Sequence, residues 1–262
     1  MTREDKILLS LLEEKAVKCS ESGMITCSRF LNLCEKSLAL SLKVPGDVNR
    51  VFYSGFGEGE RTICIFFPDF TGVSDSEGAD RWFRDNPEDC PMNILAIKKD
   101  KYSKILTHRD YLGAVTGLGI SRDVIGDIVV KEDGCFMAVS RKTAGYIAEN
   151  FAKAGRSTLT LEVKYPFEIE AENSPEGTPE TFTISSLRLD STIKNGFGIS
   201  REAACEAIVK GLVFVNDIQC LKPDRKLEQG DKLVLRHKGR IIITECENYS
   251  RKGRLIVKIL KF

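Results

Sequence analysis

Leu187-Arg-Leu-Asp190, Ile199-Ser-Arg-Glu-Ala203, Lys210-Gly-Leu-Val-Phe-Val-Asn216 and Gly230-Asp-Lys-Leu-Val-Leu-Arg236 decide the fold of the last third of this 262-residue chain. Ser200 stands at an N-cap position with Glu202 in the first turn behind it; Ala203, Ala204, Ala207 and Ile208 share a face, and Gly211 supplies a stop. A short helix with small residues on its packing side follows. Leu189, Ile193 and Phe197 recur at helical spacing just upstream, so a second short helix can bury that side. Val213 and Val215 alternate around Phe214, and Gly230-Asp231 turns into residues 232–236, which gives two strands. The prediction is a helix pair on a small twisted sheet.

The cations of this stretch fall around the helix pair. Arg188 opens the first helix and Lys194 lies within it, Arg201 sits in the N-terminal turn of the second, and Lys210 closes that one. Lys222, Arg225, Lys226, Arg236, Lys238 and Arg240 crowd the neighbouring loops and strand end. An open helix N-terminus adds N–H donors and partial positive charge suited to phosphate. Arginine offers a planar fork for phosphate oxygens, and Asn216 can bond sugars or base edges. Residues 186–262 hold sixteen Lys+Arg against nine Asp+Glu, a net of +7, while the remaining 23 basic and 29 acidic residues give −6. The whole-chain net of +1 therefore hides a polarised molecule with a nucleic-acid face expected at one end.

Residues 186 to about 245 resemble the S-four RNA-binding domain through Arg188-Leu189-Asp190, Ser200-Arg201, Ala204, Ile208, Gly211, Val213, Val215-Asn216, Lys222 and Gly230-Asp231. Asp217 departs from the Gly that many such domains place after the Asn, so a different turn is expected there. The run His108-Arg-Asp-Tyr-Leu-Gly-Ala114 with Gly117-Leu-Gly-Ile120 and Ile125-Gly-Asp-Ile128, the early Phe30-Leu31 and Gly59-Glu-Arg61, and the tail from Gly239-Arg240 to Lys252-Gly-Arg-Leu-Ile-Val-Lys258 are similar to the bacterial YlmH family. That resemblance spans nearly the whole chain. It implies a cytoplasmic, non-enzymatic RNA-binding protein of the large ribosomal subunit, concerned with stalled nascent chains on peptidyl-tRNA. Ribosomal RNA is the expected partner and tRNA a further one, with no membrane, small-molecule substrate or cofactor. The expected RNA-binding set is Arg188, Leu189, Asp190, Lys194, Ser200, Arg201, Ala204, Lys210, Val215, Asn216, Lys222, Arg225, Lys226, Arg236, Lys238 and Arg240, with Asp190 orienting Arg188 or capping its helix.

The 42% hydrophobic content can fill two or three cores. No apolar run approaches the roughly 20 residues of a membrane span, and Thr2-Arg-Glu-Asp-Lys6 leads into an amphipathic helix rather than a signal peptide. Nine cysteines, with no C-x-x-C pair, read as reduced small hydrophobes, and with only two histidines no zinc site is expected.

Helices are predicted over residues 2–17, from Ile7, Leu8, Leu11, Leu12 and Ala16, and over 28–42, from Phe30, Leu31, Cys34, Leu38 and Leu42. Strands at 51–53 and 62–67 flank the glycine-rich Ser54-Gly-Phe-Gly-Glu-Gly-Glu60, read as a hairpin loop because a strand and not a helix follows it. Residues 68–91 read as a polar loop anchored by Trp82-Phe83. From Asn93 the order is strand 94–97, helix 107–118, strand 127–130, turn 132–134, strand 135–139, helix 140–154 stopped by Gly155, and strand 158–163. That is the β-α-β-β-α-β order of a ferredoxin-like fold, shared by RNA-recognition motifs. The sheet offers one aromatic, Phe136, so base stacking there is not favoured over a packing or docking role. Ala171-Glu-Asn-Ser-Pro-Glu-Gly-Thr-Pro-Glu180 reads as a linker. The fold class is α+β in three modules: an N-terminal helical and hairpin domain (1–90), a ferredoxin-like domain (91–170) and, after the linker (171–180), an S-four domain with basic C-terminal strands (181–262).

His108-Arg-Asp110 imitates a kinase tripeptide but lacks the accompanying kinase motifs, so it reads as a helix start. Arg188-Leu-Asp-Ser-Thr192 echoes the opening of a pseudouridine synthase motif that Ile193-Lys-Asn-Gly196 does not continue. No catalytic residue is assigned. An RNA-modifying enzyme tethered by the S-four domain and a structural or division-linked interaction protein are the alternatives.

Overall fold

The computed structural model describes residues 2–57, 59–100, 104–169 and 177–262. The chain divides into two compact units, 1–174 and 175–262.

In the first unit, helix α1 (Arg3–Ser22) starts at Thr2, whose hydroxyl accepts from Asp5 N–H at 3.1 Å while Asp5 accepts from Thr2 N–H. Its buried stripe of Leu8, Leu12, Ala16 and Cys19 packs with Leu31, Ala39, Val48, Cys64 and Phe66. Residues 28–42 are not one helix. Strand β1 (Thr26–Leu31) comes first, and Asn32 then caps helix α2 (Leu33–Leu40), accepting from Cys34 and Glu35 N–H at 2.9 and 3.1 Å. Adjacent Phe30 and Leu31, both 0% exposed, enter different core clusters, which alternating strand side chains allow. Strands β2 (Val48–Tyr53) and β3 (Thr62–Pro68) pair antiparallel, giving the order β1-β3-β2 with every residue of central β3 buried. The loop expected over 68–91 contains helix α3 (Ser76–Asp85), capped by Asp75 and sinking Ala79 and Phe83 into the core while Trp82 donates to Asp89 at 2.9 Å.

The next sheet is built from β4 (Met92–Lys99), β5 (Ile125–Lys131), β6 (Gly134–Ser140), β7 (Lys153–Ala154) and β8 (Ser157–Lys164), in the antiparallel order β5-β6-β4-β8-β7. Helices α4 (His108–Thr116) and α5 (Arg141–Asn150) complete the split β-α-β-β-α-β arrangement. The helix expected to reach residue 154 ends at Asn150; Lys153–Ala154 turns back on the start of β8 through Gly155, whose φ of +60° suits glycine. One sheet face, with Leu95, Ile97, Met137 and Val139, packs on Tyr111, Val115, Ala144 and Ile147 of the helices. The other, with Ile94, Ala138, Val129 and Phe136, packs on Phe30, Val51, Ile63, Ile65 and Phe67 of the preceding sheet. The expected 90/91 division thus runs through a shared core.

In the second unit, strand β9 (Thr178–Ile184) precedes helices α6 (Leu189–Gly196) and α7 (Arg201–Val209), then β10 (Val213–Val215), β11 (Ile218–Gln219), β12 (Lys232–Leu235), β13 (Gly239–Tyr249) and β14 (Leu255–Lys261). The sheet is larger than expected, with order β11-β10-β12-β13-β14-β9. Residues 171–176 of the expected linker lie outside the described residues, but 178–180 belong to β9, pairing with 259–261. Pro179 is accommodated because β9 is an edge strand. Leu189, Ile193, Ala204 and Ile208 of the helices meet Val215, Leu233, Ile241, Val257 and Ile259 of the sheet, each fully buried aliphatic contributing about 1.5–3 kcal/mol. Helix and sheet approach so closely at Gly196 that a Cβ there would sit 2.6 Å from Ile241 Cδ1.

Candidate nucleic-acid interface

The N-terminus of α6 is laced to the loop that follows β11. Leu189 N–H donates to Arg225 O and Asp190 N–H to Pro223 O, both at 2.9 Å, Leu227 N–H donates to Leu187 O at 3.0 Å, and Arg188 bridges Lys226. This lacing puts Lys222, Arg225 and Lys226 beside Arg188. It also fills N–H donors that an anion would otherwise use at that helix end.

Asp190, 1% exposed, lies beneath this corner. Its Oδ1 accepts from Arg188 Nε at 3.2 Å and from Ser191 N–H at 2.9 Å; its Oδ2 accepts from Arg201 Nη2 at 3.0 Å and Nε at 3.3 Å. Burial pushes the carboxyl up, but the bonds from Arg201 and Arg188 outweigh it and hold the group below its ordinary value. One carboxylate therefore aims two guanidiniums from two helices. It engages one N–H of Arg188 and two of Arg201, out of five on each. Their side chains remain 39% and 69% exposed, so the charge faces water. Sequence reasoning gave Asp190 to Arg188 alone and missed Arg201, which tertiary packing brings in.

The expected residues do not form one surface. Arg188, Arg201, Lys222, Arg225 and Lys226 gather at this corner, together with the acidic Asp224, and Lys194 lies exposed further along α6. Lys210 lies at the far end of α7, about 14 Å from Arg201, and pairs with Glu206 at 2.6 Å. Arg236 N–H donates to Leu212 O, so Arg236 and the neighbouring Lys238 belong to that opposite end. Arg240 stacks its guanidinium 4.3 Å from the Phe262 ring centre. Five expectations are corrected by burial or bonding. Leu189, Ala204 and Val215 are 0% exposed and support the helices from inside. Asn216 spends its amide within the protein, donating to Asp231 Oδ1 at 2.7 Å and accepting from Lys232 N–H at 2.9 Å. Asn216 and Asp217, with φ of 52° and 65°, form the tight turn between β10 and β11, and Asp217 pairs with Lys232 at 3.0 Å. The Ser200 hydroxyl caps α7 by accepting from Ala203 N–H at 3.0 Å, which removes one donor expected to be open.

Residues 86–168 match the family model described as "Putative RNA-binding domain in YlmH". A curated relative, "Ribosome-associated protein quality control protein P2" of Bacillus subtilis (strain 168), is 29% identical over 230 residues, 86% of this chain and 82% of its own. The chain is thus similar to the YlmH family across residues 86–168 and to this relative over most of its length. A solved structure titled "Cell division protein ylmH from Streptococcus pneumoniae" aligns with 64% of this chain and 95% of its own, at 22% identity and a TM-score of 0.45.

Three motifs outside the basic unit, those of Phe30, Arg61 and Asp127, meet at one buried joint. Arg61 N–H donates to Asp127 Oδ1 at 3.2 Å, and its guanidinium donates to Ile125 O and Arg122 O, both at 2.9 Å. Burial pushes the Asp127 carboxyl up to about 6. Gly126 is required beside it, since a Cβ would lie 2.5 Å from Phe30 Cε1 and 2.8 Å from Ala138 Cβ. Phe30, Arg61 and Asp127 thus bind the first sheet to the matched domain. Because that first sheet covers the face carrying Phe136, the surface on which RNA-recognition motifs stack bases is closed here. Asp110 accepts from Thr107 N–H at 2.8 Å and caps α4, and Asp110 N–H donates to the Thr107 hydroxyl. Among the described residues no helix is long and apolar enough to cross a membrane, and no group of three or more His, Cys, Asp or Glu is placed to hold a metal.

Proposed function

We propose that this protein binds structured ribosomal RNA on the large subunit through its basic second unit, an S-four domain, and takes part in handling stalled peptidyl-tRNA. The observation that carries the reading is the pair of arginines aimed by Asp190, next to Lys222, Arg225 and Lys226. Paired, pre-oriented guanidiniums match phosphate oxygens with less ordering cost than loose side chains. Support comes from the RNA-binding description of the matched domain and from the ribosome-associated name of the Bacillus subtilis relative. The role is binding without catalysis, in the cytoplasm. Asp190, the residue an enzyme of the pseudouridine synthase kind would use, is buried and committed to two arginines. The first unit, in which segments 1–90 and 91–170 share a core, and the second unit serve as functional modules, with tRNA as a further partner.

The test is co-sedimentation with purified large subunits. Lys222→Glu with Lys226→Glu, which leaves the pairs of Asp190 with Arg188 and Arg201 in place, should remove the protein from the subunit peak while leaving the circular dichroism melt intact. In direct binding to ribosomal RNA, each lost phosphate contact should lower the slope of log affinity against log salt by about 0.7 to 0.9. Unchanged co-sedimentation by the double variant refutes the assignment.

A further inference from the structure

The β13–β14 hairpin reaches beyond the strands on its β12 side, because β12 covers only residues 239–242 of β13. From Ile243 to Tyr249 it advances up to about 20 Å. Two register shifts, between Ile243 and Glu245 and between Glu245 and Asn248, bend and twist this arm. The tip is a closed turn: Ser250 N–H donates to Arg254 O at 2.7 Å, Gly253 N–H to Ser250 O at 2.9 Å, and Arg254 N–H to the Ser250 hydroxyl at 3.1 Å. Gly253 has a φ of +69°, the left-handed residue that ends a type I turn in a three-residue hairpin loop.

This turn displays Arg251, Lys252 and Arg254, all exposed, beside Tyr249, which is 70% exposed. Lys258 and Lys261, lower on the same hairpin, pair with Glu245 and Glu180 at 2.7 and 3.3 Å. Among the described residues the three tip cations pair with no carboxylate. Tyr249 sits opposite Leu255 and so projects to the sheet face on which the helices pack. Leu255 also pairs with Ile184, four residues before Arg188, and Gly230 N–H donates to Ile243 O just upstream of the arm. The tip and the Asp190 corner therefore share one end and one face of the sheet.

We propose that this tip is a second RNA contact, where Tyr249 stacks on an unpaired base and Arg251, Lys252 and Arg254 hold the flanking phosphates. The proposal rests on the RNA-binding reading and specifies an additional substrate element: single-stranded nucleotides next to a structured helix. A lone exposed tyrosine has ordinary explanations, but a hydrogen-bonded turn that adds three cations with no carboxylate partner among the described residues calls for an anionic partner with a flat face to offer. Every base presents such a face once it leaves its stack, whereas a duplex presents one only at its ends.

The full chain is titrated by fluorescence anisotropy with two probes, an RNA stem closed by an oligouridine loop and the same stem as a blunt duplex. Tyr249→Ala should weaken stem-loop binding by about 5- to 100-fold and leave duplex binding nearly unchanged, with Tyr249→Phe retaining the wild-type value. Arg251→Glu with Lys252→Glu should weaken stem-loop binding and flatten its salt dependence. Full stem-loop affinity in Tyr249→Ala, or an equal loss on both probes, overturns the stacking assignment. If the wild type binds both probes and neither tip variant differs from it, the tip faces an acidic protein surface instead and the inference falls alone. Wild-type protein that binds neither probe removes the RNA reading itself.

Discussion

Replacing Asp190 with Asn keeps the size of the side chain and one oxygen for Ser191 N–H, but it removes the charge that holds Arg188 and Arg201. Hydrogen bonds to a charged group are worth about 1.5–3 kcal/mol when buried. Here the arginines are 39% and 69% exposed and recover water when released, and screened pairs of that kind measure about 0.2–1 kcal/mol each. The expected loss is about 1–2 kcal/mol. Because the folded carboxyl titrates below its unfolded value of about 3.9, the wild-type advantage is complete above about pH 5. It then shrinks as the pH falls through 4 and disappears below the folded value. The only tryptophan, Trp82, lies in the other unit. The measurement is therefore urea-dependent hydrogen exchange of the slowest amides in β12 and β13 of the full chain, for wild type and Asp190→Asn. A deficit as large at pH 3 as at pH 7, or none at pH 7, would show that the carboxylate does not hold the arginines.

Two further perturbations address the joint in the first unit, both read by urea titration of Trp82 fluorescence. The folded Asp127 carboxyl lies near 6, above its unfolded value, so its contribution is complete below about pH 4 and is lost as the pH rises through 6. Asp127→Asn should abolish that decline and gain up to about 2 kcal/mol over wild type at pH 8; wild-type stability that is level from pH 4 to 8 contradicts the account. Gly126→Ala should cost about 1–3 kcal/mol, because Phe30 is 0% exposed and has no room to withdraw from the added methyl. Adding Phe30→Leu should return part of that loss, and an unaffected single variant would mean that the joint is looser than its geometry.

Apart from β7, the order of strands and helices from β4 to β8 was legible because each boundary has a local chemical cause: the Thr107 and Asp110 cap, the Asp133-Gly134 turn, and alternating apolar residues in β6. The helix pair of the second unit was legible for the same reason, since Ser200 and Gly211 mark its second helix. Strand β1 was not, because burial on two sides places apolar residues next to each other and mimics part of a helical stripe; the Asn32 and Glu35 cap was the signal that could have divided it. Helix α3 was hidden by its polar composition, its buried face reducing to Gly78, Ala79 and Phe83. Strand β9 was hidden by Pro179, which an edge position tolerates.

The candidate site divides along the same line. That Arg188 and Arg201 belong to a basic cluster follows from composition and helix position, but the end of the sheet each cation reaches depends on strand register, which the sequence does not print. Lys210, Arg236 and Lys238 are as basic as Lys222 and Lys226, yet a run of α7 and the length of β12 carry them to the opposite end. Asn216 has the right chemistry for RNA but is consumed by the turn it makes possible. The hairpin tip shows the converse: Tyr249 and its three neighbouring cations look like ordinary surface residues until the pairing of β14 with both β13 and β9 brings them to the end that carries Asp190. A binding surface in this unit is thus specified twice, first by residue type and then by register. Only positions that satisfy both, Arg188, Arg201 and the 222–226 loop with the tip beyond them, belong to the proposed RNA surface.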